Sequence, residues 1–122
     1  MTKEQIHFSY KLATRVYNKS CTLKEAKDEG QRMGINPNSM NYYCASYRHM
    51  LNGTIHKGSI GAEIRDYFLQ EIFKSFDNDI IKNALSSFKQ TIAYQEEIHN
   101  NAKRTKDRVL FEKYSEKLYD HE

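Results

Sequence analysis

Asn38, Asn41, Tyr42, Ala45, His49 and Asn52, with Arg48 on the flank, fall on one side of a helical wheel drawn over residues 37–52. That side contains no acid. A carboxamide offers a donor beside an acceptor, as the major-groove edge of adenine requires, and a guanidinium can grip guanine or a phosphate. Ala45 is small at the centre of the face, which would let the segment settle deep in a groove. An ordinary solvent-facing helix more often carries Glu and Lys there. DNA-groove reading is therefore favoured over another macromolecular interface or an idle surface. The opposite side of the wheel gathers Met40, Tyr43, Cys44, Tyr47, Met50 and Leu51 and is expected to face the core.

Other chemistries find less support. The five histidines (His7, His49, His56, His99, His121) are scattered and pair with no carboxylate at a recognisable spacing. His99 is expected to be partly buried near a helix end. Glu96 and Glu97 are adjacent, so they point to different faces and make no catalytic dyad. Cys21 and Cys44 have no CxxC context and no metal-ligand histidine nearby, and read as reduced thiols of a cytoplasmic protein. No cofactor, metal or catalytic residue is implied, and the chain is not expected to be an enzyme. Candidate phosphate contacts are Lys11 and Arg15 of the first helix, His56 and Lys57 of a glycine-rich loop, and the Lys103-Arg104-Thr-Lys106 cluster. These would position the protein without reading sequence. For the last cluster, nearby Asp107, Glu112 and Glu116 also fit a plain charged surface.

The chain that must place these residues has 122 residues, enough for one domain and too few for two. Charged residues make up 29% and hydrophobic ones 39%, while nine Tyr and six Phe argue against disorder. One Pro and five Gly leave few breakers and favour helices. The net charge is +3, distributed unevenly: residues 1–24 hold Lys3, Lys11, Arg15, Lys19 and Lys24 against Glu4 alone. Residues 76–101 hold Lys82 and Lys89 against Asp77, Asp79, Glu96 and Glu97. The asymmetry permits one electropositive face. The N-terminus has no apolar signal core, and no apolar run approaches the roughly 20 residues of a membrane span.

Helical periodicity with start and stop signals predicts six helices. The first, residues 3–19, buries Ile6, Tyr10, Ala13, Val16 and Tyr17. Thr22-Leu-Lys-Glu25 matches a capping box and starts a second helix at Leu23, which Gly34 stops. Asn36 is an N-cap and Pro37 a first helical residue for a third helix reaching about Leu51. Two helices joined by so tight a turn suit a helix-turn-helix-like unit, about 22–52. Gly53–Gly61 is the longest loop, with room for a short hairpin. A fourth helix over 62–76 carries the widest apolar stripe. A fifth, capped by Asp77-Asn-Asp79, runs to about Asn100, and a sixth spans 106–119 through Leu110, Phe111, Tyr114 and Leu118.

The run Gly34-Ile-Asn-Pro-Asn-Ser39, then Tyr47-Arg-His-Met-Leu-Asn-Gly53, then Ser59-Ile-Gly-Ala62 and Tyr67-Phe-Leu69, resembles a helical N-terminal module. That module lies ahead of HNH-type nuclease domains in bacterial restriction-like proteins. Lys82-Asn-Ala-Leu-Ser-Ser-Phe-Lys89 with Tyr94 is similar to its next helix, so the likeness covers roughly residues 22–96. The resemblance implies target recognition or DNA docking beside a separate cutter, in a restriction-modification setting. The His-Asn-His nuclease segment is absent, so no catalytic residue carries over.

The expectation is thus an all-α protein: a compact bundle of five to six helices with a helix-turn-helix-like unit. It would form one domain over 1–122, its helical core at 62–119. It would bind double-stranded DNA, without catalysis, through Asn38, Asn41, Tyr42, Ala45, Arg48 and His49 in the major groove and Lys11, Arg15 and Lys57 on phosphates. The alternative is a small protein-binding inhibitor or adaptor of a nucleic-acid enzyme, served by the same Tyr- and Asn-rich face. Many helix-turn-helix proteins work as dimers, so a homodimer is compatible with either.

Overall fold

A computed structural model describes residues 1–121, with side chains through residue 120; the His121 side chain and Glu122 lie outside it. The protein is all-α. Six helices are present among the described residues: α1 (Lys3–Tyr17), α2 (Leu23–Arg32), α3 (Pro37–Asn52), α4 (Ala62–Ser75), α5 (Asn78–Ile98) and α6 (Thr105–His121). No helix among them is long and apolar enough to cross a membrane. The chain divides after Arg48, within α3, into two compact units.

In the first unit, capping chemistry sets the helix ends. Thr2 and Gln5 form a capping box on α1, and Thr22 and Glu25 form one on α2. Gln5 also donates from Nε2 to the Met33 carbonyl at 2.9 Å, tying the start of α1 to the end of α2. α2 ends in a Schellman motif: the Ile35 amide bonds Gly30 O at 2.8 Å and the Gly34 amide bonds Gln31 O at 3.0 Å. Gly34 takes the required positive φ of 82°. Asn36 Oδ1 then accepts from the Asn38 amide at 2.8 Å and opens α3.

The core of this unit is built from Ile6, Leu12, Ala13, Ala26, Ile35, Met40, Tyr43, Cys44 and Tyr47. The buried line of α1 runs through Ile6, Ser9, Leu12 and Ala13. It shares Ile6 and Ala13 with the expected Ile6–Tyr10–Ala13–Val16–Tyr17 face but leaves Tyr10 and Val16 half-buried, and Tyr17 is 40% exposed. Tyr47 is the reason. Its ring takes Tyr10 and Tyr17 edge-on at 5.4 and 5.7 Å, so the two α1 tyrosines lean over α3 from the margin.

In the second unit, α4 and α5 supply Phe68, Leu69, Ile72, Phe73, Ile81, Ala84, Leu85, Phe88 and Ile92 to the core, and α6 supplies Tyr114. No hairpin forms at 53–61, because α5 side chains satisfy that backbone instead. Gln90 Nε2 donates to Gly53 O at 3.1 Å, Gln95 Nε2 to Lys57 O at 2.7 Å, and the His56 amide donates to Thr91 Oγ1 at 3.3 Å.

Candidate nucleic-acid interface

α3 buries Met40, Tyr43, Cys44 and Tyr47 and turns the other side of the helix outward. Asn38, Asn41, Tyr42 and Arg48 are exposed, and Ala45 is half-buried between them. These five share one face because their spacing follows the helical repeat. The wheel separated the two sides correctly because α3 is continuous and its inward residues meet close neighbours on both flanks. Tyr47 lies against α1, while Gly30 leaves room for Met40, whose Sδ would stand only 3.4 Å from a Cβ there.

No acid occurs anywhere in α3. Arg48 has no carboxylate partner among the described residues, and the side chains of Asn38 and Asn41 accept and donate no hydrogen bond there. These polar groups are therefore available to a ligand. The surrounding charge favours an anionic one. The first unit carries eight Lys and Arg against four Asp and Glu, whereas residues 49–122 carry eleven against twelve. The whole positive excess of the chain thus belongs to the unit that holds these five residues.

The supporting basic residues differ in availability. Lys11 is exposed and without a carboxylate partner among the described residues. Arg15 is held by Glu29 at 2.9 Å, which offsets its charge. His49 and Lys57 belong to the second unit. There His49 Nδ1 lies 2.7 Å from Thr54 Oγ1 and its ring stacks on His56, centroids 5.6 Å apart. Lys57 is exposed, its ammonium 5.7 Å from the centre of the Tyr94 ring.

Two further expectations are corrected. His56 is buried at 5% exposure, held between the His49 ring and Thr91 of α5, and is no surface phosphate contact. His99 is exposed rather than partly buried, because α5 ends at Ile98 and the apolar stripe stops short of it. Within the terminal basic cluster, Lys103 and Lys106 are exposed, while Arg104 is pinned to Asp107 at 2.9 Å. These residues border an open groove of about 620 Å³ whose walls carry both signs of charge.

Both cysteines are free. Burial pushes the Cys44 thiol up to about 11 and raises Cys21, so neither is poised as a thiolate nucleophile. Among the described residues no group of three or more His, Cys, Asp or Glu converges as a metal would require.

Sequence reasoning missed Arg65, which is 3% exposed in α4 with its guanidinium 4.8 Å from the centre of the Phe88 ring. Its spacing places it on the buried stripe, three, four and seven residues before Phe68, Leu69 and Ile72, but a charged residue type argues for the surface and so hid it.

Comparison with protein families, curated proteins and solved structures finds no match.

Proposed function

We propose that the protein is a double-stranded-DNA-binding module without a catalytic step of its own. In this reading α2 and α3 act as the helix-turn-helix-like pair and α3 enters the major groove. The observation that supports it best is the acid-free outward face of α3, where Arg48, Asn38 and Asn41 lack protein partners inside the positively charged unit. Groove recognition uses this combination: neutral amides on base edges and separate cations on the phosphates. Lys11 and neighbouring basic residues of α1 would hold the backbone. The likeness to the module that precedes HNH-type nuclease domains belongs to the same reading, as a target-recognition part beside a separate cutter.

The test is titration of a labelled duplex by fluorescence anisotropy, first at low salt and then across a salt series. Binding should weaken with salt, the slope of log K against log salt being about −0.9 for each phosphate neutralised. Arg48→Ala should lower affinity while leaving the helical circular dichroism unchanged. Absence of any duplex binding at low salt removes the proposal. Recovery of a stoichiometric protein partner in that case selects the inhibitor or adaptor reading.

A further inference from the structure

We infer that the α3 face reads A·T pairs from the major groove, Asn38 and Asn41 on adenine and Ala45 against the thymine methyl. This rests on the DNA-binding reading above and specifies its target. The first two turns of α3 expose Asn38 and Asn41 one turn apart, and Ala45 follows Asn41 at the next turn of the same face. The N-terminal residues of a groove-bound helix are the ones that reach base edges. Neither Asn side chain is engaged within the protein among the described residues, and the Asn36 side chain already serves as the cap, so both amides remain available.

The chemistry then discriminates. An amide presents one donor and one acceptor side by side. Adenine alone shows a matching acceptor and donor, N7 and N6, on its major-groove edge. Guanine presents two acceptors there, so an amide oxygen would face O6 without a proton between them. Cytosine offers only a donor. Ala45 carries a single methyl at the half-buried centre of the face, where a thymine C5-methyl can lie against it and the bare C5–H of cytosine leaves the contact unfilled. A face built for phosphate alone would carry its cations here. The one cation on it, Arg48, stands toward the far end.

The experiment compares three duplexes of equal length under one salt condition: alternating A·T, alternating G·C and alternating inosine·cytosine. Inosine·cytosine shows the minor groove of A·T and a major groove like that of G·C, so it separates the two grooves. The expected result is binding to A·T at least about fivefold tighter than to both others, the lower range of one bidentate contact. Asn41→Ala should erase most of that preference without weakening the G·C complex. Uracil in place of thymine should weaken the wild type and leave Ala45→Gly unaffected. Equal affinity for all three duplexes overturns this inference and leaves the DNA-binding reading standing. Inosine·cytosine bound as tightly as A·T also overturns it, since the reading would then lie in the minor groove. No binding to any duplex overturns both.

Discussion

The Arg108 guanidinium donates to both carboxylate oxygens of Glu96, at 2.5 Å each, tying α6 to the end of α5 across the turn at Asn100–Asn101. The Arg104 amide donates to the same carboxylate at 2.9 Å. Arg108 first, and the Arg104 amide second, hold Glu96 down at about 2 from its ordinary 4.5. A carboxyl with a depressed folded value lends its stability in full above the unfolded value and loses it as protons bind. Acidification from about 4.5 to about 2 should therefore weaken this junction. Thermal melting followed over that range should show a falling Tm, and Glu96→Gln should flatten the fall. An identical slope in the variant would mean the pair contributes nothing to acid stability.

Lys19 occupies the left-handed region, φ 62°, at the position after the α1 cap, where its amide bonds Val16 O at 3.1 Å and the Ser20 amide bonds Arg15 O at 2.8 Å. This is the same motif that Gly34 completes for α2, but with a side chain that resists the conformation. Lys19→Gly should stabilise the protein by about 0.5–1 kcal/mol, the left-handed cost relieved less the extra entropy of glycine. Chemical denaturation measures this directly, and a destabilised variant would show that the Lys19 side chain makes a compensating contact.

Arg65 is buried in the second unit and desolvation lowers it to about 10, with Asp107 as the carboxylate that opposes the shift. Removing that carboxylate leaves the buried charge less compensated, whereas removing the charge itself leaves an apolar stem against Phe88. Asp107→Asn should cost more than Arg65→Met, which should cost less than about 1.5 kcal/mol, with the double variant close to Arg65→Met. Urea unfolding of the three variants checks the order; equal losses in the single variants would show that the Arg104–Asp107 ion pair, at 2.9 Å, dominates.

Lys11 is expected to contact phosphate rather than bases. Lys11→Ala should reduce the salt slope by about 1 and weaken all duplexes alike. A changed ratio between A·T and G·C affinity in this variant would assign Lys11 to base readout instead.

Helix boundaries and the outward side of α3 were legible because local chemistry sets them. Thr22 with Glu25, Gly34, and Asn36 before Pro37 act within four residues of where they sit. Thr2-Lys-Glu-Gln5 carried the same capping signal at the start of α1 and went unread. What sequence could not supply is pairing over distance. Glu96 and Arg108 lie twelve residues apart across a turn, and Arg15 meets Glu29 on a different helix. His56 is a polar loop residue by every local sign, yet Thr91 and the His49 ring draw it inside. Each of these depends on which helix lies beside which, and periodicity is silent on that.

The α2–α3 connection has one further consequence. Between the Schellman closure at Gly34 and the cap at Asn36 stands only Ile35, whose side chain is buried at 2% exposure and whose amide is bonded to Gly30. Such a joint has almost no torsional slack, so α3 reaches any ligand already oriented by α2. Docking then freezes few backbone degrees of freedom, and most of the ordering penalty of association falls on the exposed side chains of α3 alone.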